Sequence, residues 1–299
     1  MTIHKSVLLN EAINGLNLKP GDIFFDGTLG GGGHSAKVCE IFGKTVRIIG
    51  ADRDAEAVQS ATKKFEALKC NFSFQTASFR NIDEVLNKLK IESVNGILLD
   101  LGLSSDQIEK SARGFSFNKN EPLLMTFSGE SEDGAVTARI VVNDWSEETL
   151  ADILYGYADE RYARRIAKKI VEARQRKPIE NTFELVEIIK NAVPAGYQRG
   201  RLHFATKTFQ AIRIAVNDEI EAIKEGLAKG CERLAVGGRI AVISFHSGED
   251  RVVKIFFKQC KVDGKGNIVT KKPIIPSEEE VRENPRARSA KLRIFEKTK

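Results

Sequence analysis

The 299-residue chain carries 47 Lys and Arg against 41 Asp and Glu, a formal net charge of +6, with 41% hydrophobic and 29% charged residues. That composition excludes general disorder and supplies a full core with room for a second unit. The positive surplus suits a polyanionic partner, because Lys and Arg gain affinity for phosphates by releasing counterions. The first twenty residues include Glu11 and no long apolar stretch, so neither a secretory leader nor a membrane span is expected, and cytoplasmic residence follows. Cys39, Cys70, Cys231 and Cys260 are far apart, form no Cys-x-x-Cys pair, and read as reduced thiols. No metal site is expected from them or from the four scattered histidines.

In chain order, a helix around Val7 to Asn14 precedes a short apolar strand, Asp22 to Asp26, which enters a glycine cluster followed by a helix over Ser35 to Phe42. A second strand, Val46 to Ala51, ends in Asp52-Arg53-Asp54, and Ala55 to Leu68 reads as the next helix. Phe72 to Gln75 and Gly96 to Gly102 read as further strands, with a helix over Ile82 to Leu89 between them. Largely apolar strands alternating with helices predict a mostly parallel sheet covered on both faces.

That alternation stops at Ser104. From there to about Gly200 no strong buried strand appears, but helical stretches do, at Leu150 to Arg176 and Thr182 to Ala192. The α/β pattern resumes with a long amphipathic stretch, Ala205 to Leu234, and the strand Arg239 to Phe245; Ile268 to Lys272 and Leu292 to Phe295 are candidates to complete the sheet. Pro273 to Pro285 is polar and reads as an exposed loop. The predicted architecture is a discontinuous Rossmann-like domain, residues 1–104 and 203–299, interrupted by a helical substrate-recognition insertion, residues 105–202.

A glycine-rich turn after the first strand lets backbone approach a ligand, and the following helix N-terminus offers free N–H groups. Gly30 to Gly33 supply such a turn, and Asp52, 22 positions beyond Gly30, is placed to accept hydrogen bonds from ribose hydroxyls. The segment Gly31-x-Gly33-x-x-Ala36 also satisfies a loose dinucleotide fingerprint, so an NAD-dependent oxidoreductase stays in view. Charge separates the two. Asp26 and Asp100, closing the first and fourth strands, suit a cofactor bearing an ammonium and a sulfonium and would repel a pyrophosphate. Each residue alone has an ordinary structural explanation, as a cap or a loop residue; their shared position at strand ends is what points to a site.

Ordered blocks along nearly the whole chain resemble the bacterial 16S ribosomal RNA cytosine-N4 methyltransferases. They are His4 to Leu9, Asp26 to Ser35, Asp52-Arg53-Asp54, Asp100 to Gln107, Arg113 to Phe117, Ala205 to Ile214, Ile243 to Ser247, Glu249-Asp250-Arg251 and Asn284 to Ser289. The resemblance implies the class I S-adenosylmethionine-dependent methyltransferase fold and methylation of a cytidine in the decoding region, with small-subunit 16S ribosomal RNA as partner. It implies cofactor contacts from Gly32, Gly33 and His34, ribose binding by Asp52, Phe79 beside the adenosine, and a pocket completed by Asp100 and Gln107. Two places depart from the family. Leu124 and Thr126 stand where an Asp and an Arg are typical, and Phe204, Lys207 and Gly248 replace a Pro, an Arg and a Leu.

The cytosine amine is a poor nucleophile, so alignment with the sulfonium methyl must supply most of the catalysis. The Asp/Asn-Pro-Pro-aromatic tetrapeptide of many amino methyltransferases is absent, its position reading Asp100-Leu101-Gly102-Leu103. Asp100, with Ser104, Ser244 or His246, is the candidate electrostatic site. For RNA, the stretch Glu160 to Lys177 places Arg164 and Lys168 opposite Tyr162, Ile166 and Ile170, one face packing and the other basic. Arg113, Phe115 and Phe117 are further RNA candidates, with loop packing as their alternative. A non-catalytic ribosome-assembly factor remains a competing function. The pattern leaves both a monomer and a homodimer open.

Overall fold

The computed structural model describes residues 6–102, 111–128 and 135–299. His4, Lys5, Ser104 and Gln107 lie outside them. Two compact units partition the chain, one from Met1–Gly102 with Ile220–Lys299 and the other from Leu103–Glu219.

The first unit is built on a seven-stranded sheet in the order β3-β2-β1-β4-β5-β7-β6. Its strands are β1 Ile23–Asp26, β2 Arg47–Asp52, β3 Asn71–Thr76, β4 Val94–Asp100, β5 Leu234–Ser244, β6 Gly266–Ile268 and β7 Lys291–Lys297. The first five run parallel, β7 pairs antiparallel with β5, and β6 antiparallel with β7. Alternation within the strands sends side chains to two cores. Phe25, Ile49 and Leu99 face one, against Val85 and Leu86 of α4 (Ile82–Lys88). Phe24, Ile48 and Leu98 face the other, against Ile13 of α1 (Leu9–Leu16), Val38 of α2 (Gly33–Phe42) and Phe65 of α3 (Ala55–Leu68). A sheet buried on both faces explains why these strands read as continuous apolar runs.

The order matters for function because β1 has its successor β2 on one side and β4 on the other. At such a switch point the loops leaving the strands' carboxyl ends diverge and open a crevice. Asp26, Asp52 and Asp100 all terminate strands at that edge.

Several elements differ from the sequence reading. The stretch Leu150 to Arg176 is two helices, α6 (Glu147–Ala158) and α7 (Ala163–Arg174), separated where Asp159 takes a left-handed conformation at φ 49°. Ala205 to Leu234 likewise divides at Asp218, φ 50°, into α10 (Thr206–Asn217) and α11 (Glu219–Arg233). β5 begins at Leu234, before the glycine pair, and β6 ends at Ile268 instead of continuing to Lys272. Pro273 to Pro285 is not wholly loop: Ile274 bridges to Leu292, and Ser277 caps the short helix α13 (Glu278–Glu283). The helix α12 (Ser247–Val262) received no assignment, although Val253, Phe257 and Cys260 recur on its buried side at helical spacing. Cys39 and Cys70 are not separate thiols. They are joined as a disulfide, with Cα atoms 5.8 Å apart, because packing brings Cys39 of α2 beside the start of β3.

The second unit is helical, with α5 (Ala138–Asp144), α6, α7, α8 (Thr182–Ala192), α9 (Ala195–Gln198) and α10. Its boundary lies at Glu219, beyond the residue 202 expected, because Phe209, Ala211 and Ile212 of α10 belong to this unit's core. Asn217 ties the core to a non-helical segment: its Nδ2 donates to the Met125 carbonyl at 2.7 Å and its Oδ1 accepts from the Phe127 N–H at 2.9 Å. Beside it, the buried Thr126 hydroxyl has no hydrogen-bond partner among the described residues.

These two residues predict opposite stability changes. Thr126→Val keeps the shape and deletes an unbonded hydroxyl, so it raises the unfolding free energy by roughly 1 kcal/mol. Asn217→Ala strands the Phe127 N–H and lowers it by about 1–3 kcal/mol. Urea denaturation measures both; stabilisation by Asn217→Ala or loss in Thr126→Val contradicts the assignment.

Candidate functional site

β1 ends at Asp26, which is 1% exposed, and the chain then turns through residues 27–32 into α2. Gly30 and Gly32 adopt φ of 47° and 68°, in the left-handed region that disfavours other residues. A Cβ at Gly32 would stand 3.0 Å from the Phe65 ring, whereas one at Gly31 meets nothing within 4 Å. The loop is therefore packed at Gly32 and open at Gly31.

The three strand-end carboxylates organise this loop. The Ser35 hydroxyl donates to Asp26 at 2.7 Å and the Thr28 N–H donates to it at 3.2 Å. Asp52 accepts the Gly30 N–H on one oxygen at 2.8 Å and the Asp54 N–H on the other at 3.0 Å. The Asp100 N–H donates to the Thr28 hydroxyl at 2.6 Å, pinning the loop to β4. Asp100 Oδ1 is buried and has no hydrogen-bond partner among the described residues.

Burial disfavours the charged form of all three acids. It pushes Asp26 up to about 6, against hydrogen bonds from Ser35 and Thr28 and with repulsion from Asp52. It pushes Asp100 up to about 7, against a bond from the Gly102 backbone and with repulsion from Asp26 and Glu249. Asp52 is raised by the same burial, opposed by the N–H groups of Asp54 and Gly30. A positively charged group brought beside these carboxyls would favour their ionised forms and oppose the effect of burial.

The remaining candidates fall into two sets. His34 is buried on the first turn of α2, its Nε2 3.2 Å from the Val7 carbonyl and its Nδ1 3.9 Å from Asp100 Oδ2. Gly33 lies close enough to Ser6 that a Cβ would collide with its hydroxyl. Phe79 opens a short 3-10 turn after β3, clamped where a Cβ on Gly27 would come within 2.8 Å and one on Gly226 within 2.5 Å of it. Ser244 and His246 are engaged structurally. The Ser244 hydroxyl donates to the Lys291 carbonyl at 3.4 Å, and His246 caps α12 through reciprocal bonds with Glu249. Thr28, Ser35 and Glu249 fall inside blocks named from the sequence, but no individual role follows for them from the sequence. The first two lie inside the glycine segment itself, so their hydroxyls were the available signal.

In the second unit, Ile166 and Ile170 of α7 are buried while Arg164 and Lys168 are exposed, as the periodicity predicts. The Arg113-to-Phe117 segment packs inward. Arg113 Nη1 donates to the Thr126 and Phe127 carbonyls at 3.0 and 2.8 Å, and Phe115 is 8% exposed and stacked on Phe127. Phe115 is thus packed inward, the arrangement of its loop-packing alternative. Phe117 is half-buried and stacks on His203 at 4.4 Å. Of the replaced family positions, Lys207 donates its Nζ to the Asp159 carbonyl at 2.7 Å.

The raised carboxyls carry a signed prediction. The folded protein retains protons on Asp26 up to about pH 6 and on Asp100 up to about pH 7, whereas the unfolded chain releases them near 3.8. Their contribution to stability is full below the unfolded value and is lost as pH rises through the folded ones. Asp100→Asn removes one share, so unfolding free energy of the ligand-free protein falls less steeply across this range. Denaturant titrations at successive pH values test it; equal slopes would disprove the shift.

A family model described as the MraW methylase family matches residues 1–298. A protein named ribosomal RNA small subunit methyltransferase H from Acetivibrio thermocellus is 44% identical over 311 residues, covering 98% of each chain. The protein of the same name from Brevibacillus brevis is 41% identical over 309 residues, again covering 98% of each. Among solved structures, a putative methyltransferase from Streptococcus mutans in complex with SAH aligns over 99% of each chain at 14% identity, TM-score 0.45.

Proposed function

The chain belongs to the MraW methylase family, and from that premise we propose that it transfers a methyl group from S-adenosylmethionine to the N4 amine of a cytidine in the decoding region of 16S ribosomal RNA. The observation that carries the donor is the row of carboxylates around the glycine loop, with the buried Asp100 Oδ1, unpartnered among the described residues, at its end. When bound, S-adenosylmethionine supplies an electrophilic methyl on a sulfonium beside an ammonium. Two positive centres favour ionisation of these buried acids, whereas a pyrophosphate would meet repulsion from the ionised forms of Asp26, Asp52 and Asp100. The nicotinamide-dependent and non-catalytic readings have no support in the family or in the relatives' names.

The residues divide the work. Asp52 accepts backbone N–H groups on both oxygens and has remaining lone-pair capacity for the ribose hydroxyls. Gly31 leaves open space for close approach, and Phe79 offers its ring as a neighbour for the adenine. Asp100 is the catalytic candidate. Its spare oxygen can accept a hydrogen bond from the attacking amine, localising the lone pair and taking up developing positive charge. Ser244 and His246 support that carboxylate's surroundings by holding β5 to β7 and capping α12. Arg164 and Lys168 give the second unit an exposed cationic face for phosphates. An rRNA substrate is found in the cytoplasm, and the assembled small subunit is the form proposed here.

Transfer of tritiated methyl from S-adenosylmethionine to isolated small subunits, naked 16S RNA and DNA tests the reaction. Label is expected in a 16S cytidine of the subunits, and none in any acceptor overturns the proposal. Asp100→Asn should weaken cofactor binding by about tenfold or more, the worth of a charged hydrogen bond; calorimetry showing unchanged affinity, with unchanged turnover, removes Asp100 from the site. Reversing charge at Arg164 and Lys168 should weaken RNA binding and reduce its salt dependence, by a slope of ~0.7 per lost single-strand phosphate contact, while sparing the cofactor.

A further inference from the structure

The exposed face of α7 enters the reading above only as charge, but the start of that helix is built more specifically. Tyr162 immediately precedes α7, and Tyr197 lies on α9, far away in sequence. Their rings meet edge to face, centroids 5.0 Å apart at 71°. The Arg161 guanidinium lies over both, 4.8 Å from each ring centroid, and Arg165 approaches the Tyr162 ring at 5.7 Å.

Both arginines are exposed, and among the described residues neither makes an ion pair or a hydrogen bond. The adjacent acid, Glu160, is fully buried and engages the tyrosines instead, Oε1 accepting the Tyr162 N–H at 2.9 Å and Oε2 the Tyr197 hydroxyl at 2.7 Å. The acid therefore locks the rings, and the rings hold the arginine. Arg161 keeps its full set of N–H donors in a planar fork that matches a phosphate. Stacking on two rings also lowers the entropy lost when such a long side chain is immobilised by a ligand.

We propose that Arg161, braced by Tyr162 and Tyr197, is a preformed clamp for a backbone phosphate of the RNA substrate, with Arg165 as its second arm. The inference rests on the RNA-methyltransferase reading and adds to it a specific contact. Charge favours RNA over an acidic protein: the chain has a net charge of +6, and the exposed Arg164 and Lys168 continue the cationic surface along the same helix. Cations interleaved with aromatic rings are the usual means of holding single-stranded RNA.

The test uses the full chain, with a single-stranded 16S fragment containing the target cytidine and intact small subunits as probes, across a salt series. Arg161→Ala should bind each probe about tenfold more weakly, with the slope of log affinity against log salt reduced by ~0.7. Arg161→Lys should keep the slope and still lose several-fold in affinity, because charge remains while the stacked fork is gone. Tyr197→Phe, which keeps the ring but frees Glu160, should weaken binding in the same direction. Wild-type affinity in Arg161→Ala, or Arg161→Lys indistinguishable from wild type, overturns the clamp. So does a fall in thermal midpoint or cofactor affinity that accounts for the lost binding, which would make Arg161 a structural brace. The underlying reading stands or falls separately: methyl transfer by the wild-type protein alongside an inert Arg161 defeats only the clamp, and absence of transfer to any RNA defeats the reading.

Discussion

Like charges brought together at the ends of neighbouring parallel strands are the constraint on which the first unit depends. β2, β1 and β4 lie side by side and end in Asp52, Asp26 and Asp100. Three carboxylates removed from water would be costly if left bare. The glycine loop answers this directly, because its turns aim the Thr28 and Gly30 N–H groups and the Ser35 hydroxyl at two of the acids. The same bonds that limit the electrostatic cost hold the loop in its open shape. The site's electrostatics and its backbone conformation are thus one arrangement, in which Asp100 Oδ1 keeps no hydrogen-bond partner among the described residues.

Buried acids also organise the second unit. Glu160 fixes two tyrosines, and the Arg213–Glu219 pair, with contacts of 2.7 and 2.8 Å, closes the end of α10. Geometry of this kind decides whether a basic residue is available. Arg113 spends its guanidinium on the Thr126 and Phe127 carbonyls, while Arg161 rests on rings and retains its donors. Two arginines that look equivalent in sequence therefore have different chemical capacities.

Much of the fold was legible because its signals are local. Apolar runs bounded by glycines and aspartates mark β1, β2 and β4, and the alanine-containing stretch Ala55–Leu68 matches its helix to the residue, with Asp54 capping it by accepting the Glu56 and Ala57 N–H groups. Misreadings came where a single non-glycine residue takes a left-handed conformation, as at Asp159 and Asp218, since helical periodicity runs straight through such a position. For Phe115 the sequence leaves both RNA contact and loop packing open, because an aromatic near an arginine looks the same whether it faces water or a core; the structure buries it.

By itself, then, the sequence determined the alternation of strands and helices, the glycine turn, the acids closing the strands and the amphipathic basic helix, because each depends on residues within a few positions. Only the tertiary structure decided which acid keeps an unpartnered oxygen, that Cys39 meets Cys70, that α10 packs with the insertion, and that Tyr197 returns to brace Arg161. Those outcomes depend on groups far apart along the chain competing for the same neighbours, and only packing settles such a competition.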